Sequence, residues 1–361
     1  MPDNGEKEQK ELTNQLKSAY RKFKTYTYYD NYGAINRGKI ANFETKESLN
    51  ANDDFFKRLA EDLTDERKRK RLLRRLSRRI NVLCYPKSIR TRSKDKSMLG
   101  NIPEDCDKIE KLNYFIDLDV ESHILGALWI LRSGWILDHR LHKNCHGNRI
   151  NKEVLAKIES SEKDGKRYSE PTPFLFEPYF KRYQVWRDKG LDTVEKLLEK
   201  EENAIMLSLD FKEYYYTSTI NFEKLKNDID TAKSKLFETS NDDLDPFEKE
   251  LDEFLLEYIE TIFKVYTGKF ERNNYDISDL PMIPIGFLPS LIISNWNLQA
   301  FDQAILDIIN PAYYGRYVDD MLIVFKSHPE SGSFSKEQLD VTVEEIIRKY
   351  FIPHNLDEDE N

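Results

Sequence analysis

Apolar residues recur at threes and fours in VESHILGALWILRSGWILDHRL (120–141), which predicts a long helix buried on most of its circumference. The same spacing runs through PYFKRYQVWRDKGLDTVEKLLEKE (178–201) and through 221–235 and 246–266, predicting three more helices. SLIISNWNLQAFDQAILDII (290–309) reads as a further helix, stopped ahead of Pro311. Residues 66–80 predict a helix with Leu72, Leu73, Leu76 and Ile80 on one side and basic residues on the other. Residues 1–65 are polar and partly helical in pattern, with an aromatic cluster, TYTYYDNYGAINRG.

Three stretches read as strands. VLCYPKSIR (82–90) predicts a short strand ended by a turn at Pro86, and AIMLSLDF (204–211) a buried strand with an acidic end. YYGRYVDDMLIVF (313–325) predicts a hairpin with Asp319 and Asp320 at its bend. Residues 97–112 read as loop and 142–175 as turn-rich, while LPMIPIGFLPS (280–290), with three prolines and a glycine, reads as a structured loop. Helix and strand alternate without regular βαβ spacing, so the predicted class is α+β, a sheet backed by helices.

With 361 residues, 39% of them hydrophobic, the chain can bury a sizeable core. No apolar run reaches membrane-spanning length, and MPDNGEKEQKEL lacks the apolar region of a signal peptide. Cys84, Cys106 and Cys145 are odd in number and lack CxxC spacing, which speaks against a disulfide framework and a zinc site. The expectation is a soluble cytoplasmic protein. A net charge of −9 gives no global sign of nucleic-acid binding, yet RKRKRLLRRLSRR (67–79) is almost wholly basic and the NLDEDEN tail acidic. The basic run is either a solvated helix face or a local phosphate-binding surface, and one helix can be both.

The chemistry lies where AIMLSLDF and YYGRYVDDMLIVF end in carboxylates. Paired in one antiparallel sheet, these strands would bring Asp210 beside Asp319 and Asp320. Carboxylates so crowded repel unless divalent cations sit among them, and hard cations such as Mg²⁺ favour such oxygen ligands. Two metals bridged by aspartates are the usual device for nucleotidyl transfer. Alone, Asp-Asp in a hairpin bend is also ordinary turn chemistry.

The surrounding residues carry a resemblance. YVDD between apolar flanks resembles motif C of reverse transcriptases, and SLDFKEYYYT (208–217) their motif A. IPIGFLPSLIISNWNL (283–298) is similar to motif B, with Pro284, Gly286, Ser290 and Asn295 in its register, and the order A, B, C is kept. NCHGNRI (144–150) resembles a block of the fingers region. The resemblance covers about residues 80–330 and is nearest in flavour to bacterial abortive-infection reverse transcriptases of the AbiA and AbiK kind.

The resemblance implies right-hand polymerase fingers and palm, with an N-terminal extension over 1–65, fingers over 66–203 and palm over 204–361. It implies Asp210, Asp319 and Asp320 as catalytic ligands of two Mg²⁺ or Mn²⁺ ions, with the Phe211 carbonyl as an extra oxygen. Tyr215 falls on the steric-gate position that favours dNTPs, and Gly286 where backbone approaches the nucleotide closely. Lys87 and Arg90 are candidates for the triphosphate. Tyr317 and Ser290 are candidates for the primer end, and Asn148 and Arg149 for template or fingers support. His123 and His146 read as ordinary polar residues, Trp129 and Trp135 as core.

Two departures stand out. Ile285 occupies the place of a glutamine that helps seat the template, which fits the template-independent, protein-primed synthesis of abortive-infection relatives. After Asp320 the chain runs only from Met321 to Asn361, enough for the hairpin and one helix over roughly 335–351. A thumb is therefore expected to be missing or supplied elsewhere, as by a C-terminal helical or HEPN-type domain or partner. DNA or RNA and dNTPs are the expected partners, with no membrane, and a homo-oligomer is left open. The expected role is antiviral defence in bacteria. The alternatives are a catalytically degenerate scaffold that binds nucleic acid or a helical partner, and a template-copying reverse transcriptase of a mobile element.

Overall fold

A computed structural model describes residues 4–30, 33–46, 51–91, 106–163, 172–237, 245–269, 280–327 and 344–348. The chain opens with α1 (Asn4–Tyr29), α2 (Ala34–Lys46), α3 (Ala51–Thr64) and α4 (Glu66–Ser77), then β1 (Asn81–Thr91) and β2 (Cys106–Asp117). Next come α5 (Val120–Trp129), a π-helical turn (Ile130–Gly134), α6 (Trp135–His139), α7 (Lys152–Lys163) and α8 (Tyr179–Leu198). They are followed by β3 (Asn203–Asp210), α9 (Tyr214–Thr217), α10 (Phe222–Phe237), α11 (Pro246–Lys269) and α12 (Leu288–Asn297). The described part of the fold closes with α13 (Gln299–Ala304), a second π turn (Ile305–Ile309), β4 (Tyr313–Tyr317) and β5 (Asp320–Ser327). The chain is α+β, mostly helical with small antiparallel sheets. Among the described residues no helix is long and apolar enough to cross a membrane.

Two compact units alternate along the chain. One comprises Met1–Leu141, Gly147–Tyr179 and Phe211–Asn297. Its centre is the apolar segment predicted as a helix, where Ile124, Leu125, Leu128, Trp129, Ile130 and Trp135 are fully buried. Such side chains stabilise by roughly 1.5–3 kcal/mol each on burial. α1 packs on α5 through a stripe of Leu12, Leu16, Ala19 and Phe23, so the polar N-terminal region contributes to the core. The π turn swings Arg132 inward to Glu248 and Asp252, each at 2.6 Å.

In the same unit β1 pairs antiparallel with β2 as a two-stranded ribbon. The strand does not end at Pro86 as expected. It continues to Thr91, because a ribbon leaves one edge unpaired and a register shift between Pro86 and Ser88 absorbs the missing N–H. The loop expected over 97–112 is also corrected, since β2 begins at Cys106, while 92–105 lies outside the described residues. The turn-rich 142–175 contains α7, whose Val154 and Ile158 are buried.

The second unit comprises His142–His146, Phe180–Asp210 and Leu298–Asn361. Its sheet has the order β3-β5-β4, all antiparallel. β5 is central, so β3 is an edge strand with only Ile205 buried, not the buried strand expected. α8 covers one face through Trp186 and Leu197, against Tyr313, Leu322 and Val324. Gly190 allows this approach, for a Cβ there would stand 2.5 Å from Leu322 Cδ2. The helix expected over 290–309 starts earlier, at Leu288, and is interrupted at Leu298 before α13. Of the helix expected near 335–351, residues 344–348 are helical and the rest lies outside the described residues.

Candidate active site

The catalytic candidates come together by strand register. Asp210, the last residue of β3, stands opposite Asp320, the first of β5. Asp320 in turn stands opposite Tyr317, the last residue of β4. Directly opposed residues of antiparallel strands project to one face, with Cβ atoms about 4.5–5.5 Å apart. Tyr317, Asp320 and Asp210 therefore form one row across all three strands. Alternation along β5 places that row on the face where Leu322 and Val324 pack under α8. Tyr317 extends this apolar cluster, its ring 6.0 Å from Trp186 and 5.4 Å from Tyr183.

Asp319 lies in the connection itself. Tyr317 and Asp320 are paired, so Val318 and Asp319 form a two-residue loop. Val318 has φ 60°, and a positive φ at the first loop position is the demand of a tight hairpin turn of the II′ kind. That is costly for a β-branched residue, of order 1–2 kcal/mol. The surroundings hold it in place. Arg316, fully buried, donates from Nη1 to the Val318 carbonyl at 2.7 Å. Its Nε and Nη2 clasp the two carboxylate oxygens of Asp302, each at 2.6 Å. Tyr314 Oη donates to the same carboxylate at 2.5 Å. Burial, and then the Asp302 carboxylate, push the Tyr314 hydroxyl up and hold it neutral. Burial works against the Arg316 charge, but Cys145 and the Asp302 carboxylate outweigh it and hold the guanidinium charged. The free edge of β4 is closed by 144–146, with Arg316 N donating to the Asn144 carbonyl and His146 N to the Arg316 carbonyl.

Sequence reasoning missed Arg316 and Asp302. The available signal was an arginine between Gly315 and Tyr317, in a strand otherwise patterned for burial.

Partial burial, and then the Asp210 carboxylate opposite, push the Asp320 carboxyl above its ordinary value. Asp210 is exposed and Asp319 and Asp320 are half-buried, so solvent reaches the pair. Hard oxygen donors in like-charge apposition, open to water, fit a divalent cation such as Mg²⁺. Among the described residues no three carboxylate, histidine or cysteine side chains stand close enough to form a closed metal cluster. A cation would thus rest on Asp210 and Asp320 with water completing its shell, while Asp319 is one residue away in the turn.

The remaining candidates belong to the first unit. Phe211 follows Asp210 directly and its ring stands 5.9 Å from Tyr214. Of the three tyrosines of α9, Tyr214 and Tyr216 are buried. Tyr214 donates to the Ser294 carbonyl at 2.7 Å, and Tyr216 Oη accepts from Tyr114 N at 3.0 Å. Tyr215 between them is half-exposed. Gly286 is exposed at φ 94°, a conformation that strains any L side chain. Beside it the Ile285 carbonyl accepts from Ile116 N at 2.8 Å, which ties the loop to β2. Ile285 and Gly286 border a cavity of about 460 Å³, walled by aromatic rings that include Tyr85 and Phe115.

Ser290 is buried, its Oγ without a hydrogen-bond partner among the described residues. Asn295 donates to the Gly147 carbonyl at 2.8 Å and so anchors the segment carrying Asn148, which has φ 51°. Arg149 donates to the buried Asp138 carboxylate at 2.9 Å and to its carbonyl at 3.0 Å, a structural clasp. Lys87 is exposed, and Arg90 lies in β1 with its side chain outside the described residues. His123 is fully buried and stacked on Phe23 at 4.4 Å.

No family model matches the chain. A search of curated proteins finds no similar sequence either.

Proposed function

We propose that the protein is a nucleotidyltransferase of reverse-transcriptase type that polymerises dNTPs in antiviral defence, with the β3-β5-β4 sheet as its palm. One observation carries this reading: Asp210 and Asp320 oppose each other beside a tight Val318–Asp319 turn. Nothing in folding favours two carboxylates directly opposed in a sheet, where like charges destabilise. A catalytic cation explains their presence. When bound, Mg²⁺ supplies Lewis-acid stabilisation of charge on transferring phosphoryl oxygens.

The chain's own residues would do the rest. Asp210 and Asp320 hold the cation, and Asp319 stands ready at the turn. The Arg316 clasp fixes the turn, so the carboxylates need little reorganisation during reaction. Tyr317 presents an aromatic edge for the primer end. In this reading Tyr215, less enclosed than the tyrosines beside it, would crowd a ribose 2′-hydroxyl, and Gly286, lacking a Cβ, would admit close approach of a nucleotide. Ile285 brings no side-chain hydrogen bond to a template, which favours template-independent synthesis, with protein priming as its companion. A helical or HEPN-type partner supplying the thumb belongs to the same reading.

The test is incorporation of labelled dNTPs with Mg²⁺, with and without a primed RNA template. Incorporation in both conditions supports the full reading. Strict template dependence removes its template-independent part. No incorporation in either condition refutes the polymerase assignment.

A further inference from the structure

We propose that the exposed face of α4 is a track for the phosphate backbone of nucleic acid. At 100° per residue, Arg67, Arg71, Arg74 and Arg78 fall within an arc of about 60° and over a rise of about 16 Å. All four are exposed. The opposite side of the helix buries Arg69, Leu72 and Leu76. The other basic residues of this segment are already engaged. Arg69 pairs with Glu250, Arg75 with both oxygens of Glu121, Arg79 with Asp119 and Lys70 with Glu66. Arg67 and Lys68 stand near Asp65 and Glu66. Arg71, Arg74 and Arg78 have no carboxylate partner among the described residues.

Helix stability does not account for the stripe. Cations favour the last turn of a helix, where Arg74 and Arg75 lie, but Arg67 and Lys68 oppose the dipole in the first. Nor does overall charge, for the protein carries −9 and its mean field repels polyanions. Guanidinium forks spaced three and four residues apart suit successive phosphates, which they can bind bidentately. An anionic membrane fits less well, because the apolar side of α4 is buried and none of it is left to enter an interface. The choice of nucleic acid over an acidic protein rests on the polymerase reading given above.

The experiment is fluorescence anisotropy of the full chain with a dye-labelled 30-nucleotide single strand, in EDTA so that no synthesis occurs. The variants are Arg71→Gln/Arg74→Gln/Arg78→Gln and, as a control of equal charge change, Lys181→Gln/Lys189→Gln/Lys196→Gln on the exposed side of α8. Thermal unfolding verifies that each variant is folded. The stripe variant is expected to bind at least tenfold more weakly at 100 mM salt. Its slope of log K against log salt should be shallower by about 2, the release expected for three phosphates of a single strand. The control should stay within about twofold of the parent.

Equal losses in both variants, unchanged binding by the stripe variant, or no binding by the parent would each overturn the proposal. So would a stripe variant that loses affinity only for phosphatidylserine vesicles or polyglutamate. dNTP incorporation by the parent keeps the two readings apart: a parent that binds through the stripe without incorporating dNTPs would sustain this inference while refuting the polymerase.

Discussion

Arg316 clasps both carboxylate oxygens of Asp302 at 2.6 Å while its third nitrogen holds the Val318 carbonyl. A buried charge pair thus anchors the loop that carries Asp319. Removing one partner of such a pair leaves an uncompensated buried charge, which costs about 3–5 kcal/mol. Arg316→Met should therefore lower stability by that amount in urea unfolding, and Asp302→Leu similarly. The double variant should recover much of the loss, since two apolar side chains leave no orphan charge. Strictly additive losses would show that the two residues do not act together.

Val318 adopts φ 60° in the hairpin loop. Val318→Gly should be neutral or stabilising by about 1 kcal/mol, relief of the left-handed backbone outweighing glycine's entropy. Val324→Gly, at a fully buried position of β5, should cost about 3 kcal/mol or more. Equal losses at the two sites, measured by chemical denaturation, would contradict the strain assigned to Val318.

Opposed carboxylates make a metal-dependent stability. Mg²⁺ at a hundred times its dissociation constant should add about 2.7 kcal/mol to the parent and raise its melting temperature. Asp210→Asn/Asp320→Asn should not respond to Mg²⁺, and in EDTA should melt no lower than the parent because the repulsion is gone. Thermal melts across an Mg²⁺ titration check both statements.

Burial, aided by the charge of Lys39, pushes His123 down to about 3 from an ordinary value near 6.5. The unfolded chain then binds the proton first as pH falls. Stability should hold above pH 6.5 and decline below it, by up to about 1.4 kcal/mol per pH unit down to about 3. His123→Leu should flatten this part of the acid limb, and an unchanged profile in that variant would contradict it.

The carboxylate pair was legible because each aspartate ends an apolar run, a position that only tertiary pairing makes consequential. The number of partners a strand finds is not written in its own pattern. The apolar run of β3 looks buried but ends at an edge, and β1 continues through Pro86 because its ribbon has an open side. β2 escaped notice because its outer residues, such as Lys111 and Leu112, face solvent and dilute the alternation. The π turn at Ile130–Gly134 is likewise invisible to a 3.6-residue period. Arg316 and Asp302 lie fourteen residues apart on different elements, and their union is a fact of packing.

The most direct measurement is the rate of dNTP incorporation by Asp210→Asn and by Asp320→Asn, each verified as folded, beside the parent in Mg²⁺. The parent should incorporate nucleotide, and each substitution should lower the rate at least about a thousandfold, as loss of a group acting at the reacting charge does. Incorporation by either variant within tenfold of the parent would contradict the assignment of this pair as the catalytic centre.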